Sequence, residues 1–164
     1  SRNFIHILLK VQCLNSLPGI VSMAMTKQKI VIDSSVIVKW LLSKNENHIE
    51  QSRTILANIR EGKIDCLAPE IAKYEIGNAI LNKDVTTIIA ELAFVTFYML
   101  PIKFVPETDK TALLTFKIAQ KYGVTYYDAS FMSLAKQENA ILVTDNIKHQ
   151  GKSANIKVIS LRDY

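Results

Sequence analysis

The sequence predicts an α/β fold with a central, mostly parallel sheet flanked by helices. Three observations carry this expectation. Short apolar runs rich in β-branched residues, such as Ile30-Val31-Ile32 and Ile141-Leu142-Val143-Thr144, lack the polar alternation of a half-solvated strand. Strands of that kind suit a sheet covered on both faces. Segments with helical periodicity separate them, and Pro, Gly, Asp and Ser residues mark the joints, so that strand and helix alternate along the chain.

Taken in order, Ile30–Ile32 is the first strand and Asp33-Ser34-Ser35 ends it with side chains able to cap a helix. Val36, Ile37, Trp40 and Leu41 recur at helical spacing, with Trp40 read as core or interface. A second helix is expected from about Asn47 to Arg60, stopped by Gly62. Residues 64–68 form a short strand. Pro69 suits the first turn of the next helix, which runs to about Asn82, with Glu70 favoured by the helix dipole. The nearly all-apolar stretch from Thr86 to Leu100 predicts a buried helix. A strand at residues 102–105, a helix from Lys110 to Tyr122 ended by Gly123, a helix beginning near Asp128, and strands at residues 141–144 and 156–161 complete the pattern.

Composition bounds the function. With 164 residues, 49% hydrophobic and 21% charged, the chain is long enough to bury one core without staples, and disorder and low-complexity arrays are excluded. The net charge of +5 permits a polyanionic partner without demanding one. Cys13 and Cys66 are too few for a disulfide framework, so a reducing cytoplasm is expected. Charged residues interrupt every apolar stretch before it reaches the roughly 20 residues of a membrane helix. Residues 1–24 read as an extension outside the core. Their charges are Arg2 and Lys10, the apolar Ile5–Leu9 run is a poor signal peptide, and the functional start falls at Met23 or Met25. The domain is then residues 25–164.

Functional groups of open parallel sheets gather at the carboxyl ends of strands. Asp33 and Asp145 stand at two such ends and can converge in one crevice. Glu75 and Asn78 share a helix face beside an apolar stripe. Asp128 starts a helix, where it can serve as an N-cap instead. Each acid also has an ordinary reading as a turn, cap or surface residue. Four carboxylates meeting in one cleft repel one another unless a cation or retained protons compensate. A hard divalent cation prefers such oxygen ligands. It can activate water and neutralise phosphate charge.

Ile30-Val31-Ile32-Asp33-Ser34-Ser35-Val36, Tyr74-Glu75-Ile76-Gly77-Asn78, Tyr126-Tyr127-Asp128-Ala129-Ser130 and Leu142-Val143-Thr144-Asp145 occur in the order seen in PIN domains. Over residues 28–162 the chain resembles VapC-type toxin ribonucleases. The resemblance implies a PIN-like α/β/α sandwich and Mg²⁺- or Mn²⁺-dependent endonucleolytic cleavage of RNA by metal-activated water, leaving a 5′-phosphate and a 3′-hydroxyl. It places Asp33, Glu75, Asp128 and Asp145 in the acidic metal site, with Ser34, Asn78 and Thr144 as supporting polar residues. Many relatives have Thr-x-Asp, whereas here Thr144 is followed at once by Asp145 and then Asn146. Either Asp145 serves through a local shift, or Asn146 fills the usual position as a neutral ligand. The first three acids carry the stronger expectation, and whether one metal or two bind is left open.

Positive charge must hold an RNA backbone near such a site. Candidate contacts are Lys39, Lys73, Lys83, Lys148, His149 and Lys152. Tyr126 and Tyr127 can stack on a base, but core packing is the stronger expectation for them. The resemblance further implies a cognate antitoxin and a homodimer, and the apolar positions between Ile37 and Ile59 are candidates for either contact. Competing readings are a nuclease of RNA maturation or decay and a non-catalytic RNA-binding module. A metal-dependent phosphohydrolase is disfavoured because residue 35 is serine where an Asp-x-Asp pair is needed, and a response-regulator receiver because its acceptor Asp belongs on the third strand.

Overall fold

The computed structural model describes residues 27–147 and 155–164. The elements are β1 (Gln28–Ile32), α1 (Ser34–Leu41), α2 (Ile49–Arg60), β2 (Ile64–Pro69), α3 (Ala72–Leu81), α4 (Thr87–Phe97), β3 (Lys103–Val105), α5 (Asp109–Tyr122), α6 (Tyr126–Gln137), β4 (Ile141–Thr144) and β5 (Val158–Ser160), followed by a 3₁₀ turn at Leu161–Asp163. The strands form one five-stranded sheet in the order β3-β2-β1-β4-β5, and every pairing is parallel. The predicted parallel α/β architecture is therefore observed.

Central position and burial agree with the residue types. Ile30, Val31 and Ile32 of β1, and Leu142 and Val143 of β4, are at most 2% exposed, as strands covered on both faces require. Helix α1 packs against α2, α3 and α4, while α5 packs on α6 and α6 lies on β1, β2 and β4. The local stops work as anticipated at Gly62 and Gly123, which adopt φ of +70° and +61° and end α2 and α5 in left-handed conformation.

Four expectations need correction. Pro69 ends β2 instead of opening a helix. It pairs with Val105 at the strand's last position, where the missing proline N–H costs no interior ladder bond, and the Glu70 N–H takes over by donating to Val105 O. Helix α3 starts at Ala72, so Glu75, not Glu70, is the acid of its first turn. Helix α4 forms where expected but is not buried. Only Ala93 and Phe97 turn inward, whereas Ile88, Leu92, Val95 and Met99 are 60–79% exposed. Conversely, Ile37, Ile55 and Ile59, expected at a partner surface, lie in the core.

Candidate active site

The strand order reverses at β1, with β2 and β3 on one side and β4 and β5 on the other. Connections that leave in opposite directions open a crevice above the carboxyl ends of the strands at the switch, where open α/β sheets bind ligands. Asp33 directly follows β1, and Thr144 closes β4. Because Ile32 pairs with Val143, the next residues on the two strands, Asp33 and Thr144, stand level.

This register sets the first carboxylate. The Asp33 N–H donates to Val143 O at 3.0 Å, the Thr144 hydroxyl donates to Asp33 Oδ2 at 3.1 Å, and the Ser35 hydroxyl donates to the same oxygen at 2.5 Å. Asp33 is buried and Thr144 fully so. Asp33 occupies the N-cap position of α1 but makes no side-chain cap bond, so the capping role anticipated from sequence is replaced by these lateral bonds.

Glu75 comes from the first turn of α3 and is joined to α1 by a hydrogen bond that the Ser34 hydroxyl donates to Glu75 Oε2 at 2.6 Å. Burial pushes the Glu75 carboxyl above its ordinary pKa. The Ser34 bond opposes this, and the negative charges of Asp33 and Asp128 push it further up. Asp128 is thus electrostatically part of the same cluster. It is the third residue of α6, whose N-cap is Thr125. The Asp128 N–H donates to Thr125 Oγ1 at 3.0 Å, and the Thr125 hydroxyl donates to Asp128 Oδ2 at 2.8 Å. Capping falls to Thr125, three residues earlier than the sequence reading allowed.

Asp145 is paired with a lysine. Its Oδ2 lies 3.1 Å from Lys39 Nζ, and Lys39 also pairs with Glu46, which pairs in turn with Lys83. Burial would depress the Lys39 ammonium, but hydrogen bonds and charge from Glu46 and Asp145 outweigh it and hold the pKa above the usual lysine value. For Glu46 burial acts upward, yet Lys39 and Lys83 hold it below the ordinary glutamate value. Lys39, expected at an RNA surface, is 4% exposed and fully engaged by carboxylates, so that expectation is corrected. Lys83 is likewise drawn to Glu46. Asn146 is exposed, and its backbone N–H donates to Thr144 Oγ1 at 2.9 Å.

Of the remaining candidates, Asn78 is exposed on α3, one turn beyond Glu75. Lys73 pairs with Glu70 at 2.9 Å and lies 5.1 Å from the Phe104 ring centroid. Lys148, His149 and Lys152 lie outside the described residues, as does the 1–24 extension. Tyr126 and Tyr127, expected in the core, are 39% and 57% exposed. Trp40 packs against the core, its indole N–H donating to Ser52 O at 2.7 Å. Burial pushes the Cys66 thiol up to about 12, making it inert. Sequence reasoning missed Glu46 and Ser35. A carboxylate five residues past the end of α1 carries no local signal that a buried lysine awaits it.

Among the described residues, no three His, Cys, Asp or Glu side chains converge closely enough to hold an ion as they stand. The donor set still fits a hard divalent cation. Asp33 and Glu75 are carboxylates tied to α1 through Ser35 and Ser34, and Glu75 is raised first by burial and then by the charges of Asp33 and Asp128, the charges a cation would offset.

Residues 30–153 match the PIN domain family model, and the chain belongs to that family. The fold is shared with solved toxin–antitoxin proteins. VapBC2 from Rickettsia felis, bound to a DNA fragment from its promoter, superposes with a TM-score of 0.61 at 15% identity, over 81% of this chain and 98% of that one. VapBC-1 from nontypeable Haemophilus influenzae gives 0.58 at 14% identity over 82% and 99%. VapC20 from Mycobacterium tuberculosis, a sarcin–ricin loop cleaving toxin, gives 0.56 at 10% identity over 69% and 86%. No curated protein matches the chain in sequence. Membership thus places the chain in the PIN family, and the likeness to these structures shows that it has their fold.

Proposed function

We propose that this protein is a divalent-metal-dependent endoribonuclease and the toxin of a toxin–antitoxin pair, working in the cytoplasm with Mg²⁺ or Mn²⁺. The observation that carries the reading is the partly buried Asp33–Ser34–Glu75 arrangement, with Asp128 at electrostatic range, at the switch point of a PIN sheet. Asp33, Glu75 and Asp128 would hold the metal. When bound, that ion supplies charge neutralisation at the phosphate and a more acidic water. Thr144 and Ser35 orient Asp33, Ser34 orients Glu75, and Thr125 fixes Asp128, so each carboxylate is held by a hydroxyl. Asp145 contributes negative charge at the rim while balanced by Lys39.

A cognate antitoxin and a second copy of the chain are the proposed partners. The toxin–antitoxin complexes that share the fold support the first. The exposed Ile88, Leu92 and Val95 of α4, with Met99 just after it, support an apolar protein contact, because monomers seldom leave such a patch to water.

The test is incubation of the purified chain with structured RNA plus Mg²⁺, Mn²⁺ or EDTA. Cleavage with either metal, abolished by EDTA and by Asp33→Asn, is the expected result. A folded protein that binds RNA without cutting it would replace this reading with a non-catalytic binding module. Hydrolysis of small phosphoesters alone would replace it with a phosphatase.

A further inference from the structure

We infer that the cavity between the carboxyl ends of β2 and β3 and the helices α5 and α6 is a specificity pocket for one unpaired nucleobase of the RNA, guanine above the others. The inference rests on the ribonuclease reading and goes beyond it by naming what the enzyme reads.

Position comes first. The cavity, about 280 Å³, is lined by Tyr74 and by Tyr126 and Tyr127. Tyr74 is covalently next to Glu75, and Tyr127 is next to Asp128. The pocket is therefore lined from the same first turns of α3 and α6 that carry two of the three clustered acids. Its volume lies just below the roughly 300 Å³ at which small-ligand sites begin, which suits one base and not a stacked pair.

The lining selects a base and rejects a phosphate. Tyr74, Tyr126 and Tyr127 are 73%, 39% and 57% exposed, unusual for large aromatic rings that a core could have taken. Exposed rings of this kind offer stacking platforms to unpaired bases regardless of sequence. The charged groups at the wall are carboxylates, Glu70 and Glu107, which repel a phosphate and only accept hydrogen bonds. A nucleotide must then enter base first, with its backbone passing outside along the acid cluster. Glu70 is already neutralised by Lys73 at 2.9 Å. Glu107 receives the Tyr126 hydroxyl on Oε1 at 2.7 Å, which braces the carboxylate against the aromatic rim. Of the four RNA bases, guanine alone carries two adjacent N–H donors, N1–H and the 2-amino group, on its Watson–Crick edge. Those two donors match a carboxylate, whereas adenine and cytosine place a ring acceptor beside their amino group and uracil flanks its one N–H with carbonyls. Reading that edge requires an unpaired nucleotide.

Two measurements test the proposal on the full chain. The first is NMR titration with guanosine, adenosine, cytidine and uridine in EDTA, which needs no cleavage. Guanosine is expected to shift the pocket tyrosines and to bind at least fivefold tighter than the others. Glu107→Gln, which keeps an acceptor for Tyr126, removes that preference, and Tyr127→Ala weakens all four nucleosides. The second is mapping of cuts in a library of unpaired oligoribonucleotides. Cuts at a constant offset from guanine, with the guanine preference reduced about fivefold or more in Glu107→Gln, support the proposal. Equal binding of the four nucleosides, no binding, or a guanine preference unchanged in Glu107→Gln overturns it. Guanosine binding by a protein that never cuts RNA would defeat the nuclease reading and leave the pocket standing. Cutting without base preference would do the reverse.

Discussion

Lys39 Nζ lies 3.1 Å from Asp145 Oδ2, with only 4% of the lysine exposed. The same ammonium is paired with Glu46, so one buried cation answers two partly buried carboxylates projecting from separate loops. Such an arrangement is stable while complete and costly when one member is lost, because the remaining charges have been taken out of water without compensation.

Lys39→Met should therefore destabilise the protein by about 3 kcal/mol in urea unfolding, the usual scale for an orphaned buried charge. Adding Asp145→Asn to that variant should recover part of the loss, giving a coupling of about 1 kcal/mol in a double-mutant cycle. Additive effects would show that the two side chains do not interact in solution.

Glu46 links this network to pH. Its folded-state pKa lies below the ordinary glutamate value because Lys39 and Lys83 outweigh burial. A carboxylate of that kind adds stability above its unfolded pKa, near 4.5, and loses it as pH falls through the lower folded value. The stability difference between the natural protein and Glu46→Gln should be full at neutral pH and shrink steadily below pH 4.5. A difference that grew on acidification would contradict the pairing.

Glu75 has the opposite sign. Burial and the charges of Asp33 and Asp128 raise its pKa, so its ionised form is disfavoured in the folded state and the penalty is felt at pH values above the raised value. Glu75→Gln, measured in EDTA at neutral pH, should melt a few degrees higher than the natural protein while losing metal binding and cleavage. This is the trade expected where function requires an unfavourable cluster of charge. A lower melting temperature would mean that the Ser34 bond to Glu75 matters more than the repulsion around it.

The α4 face should be separable from the fold. Leu92 and Val95 are 66% and 60% exposed, so Leu92→Lys with Val95→Glu should change the melting temperature little. The same pair should lower self-association in sedimentation, or loosen a co-expressed antitoxin, if either partner covers α4. Phe97 on the inner side of the helix is fully buried, and Phe97→Ala should cost about 3–5 kcal/mol.

Much of this protein was legible in its sequence because the signals are local. Ile30-Val31-Ile32 and Ile141–Thr144 suit strands covered on both faces, and they form them. Gly62 and Gly123 stop helices through their own backbone freedom. Asp33 sits at a strand end that the apolar run already places, and the reversal of strand order at β1 carries it to the crevice, whereas the starts of α3 and α6, which set Glu75 and Asp128 in first turns, lay two to three residues from where the sequence put them. What tertiary structure alone decided depends on which side chains distant elements bring together. The sequence showed that α4 is nearly all apolar but not that only Ala93 and Phe97 would be buried when it packed. It placed Asp145 at the end of β4 without revealing that Lys39, more than a hundred residues earlier, would pair with its carboxylate. A residue's position on its own element follows from the backbone's local repeat. Its charge partner and its exposure follow from packing between elements, which no local pattern encodes.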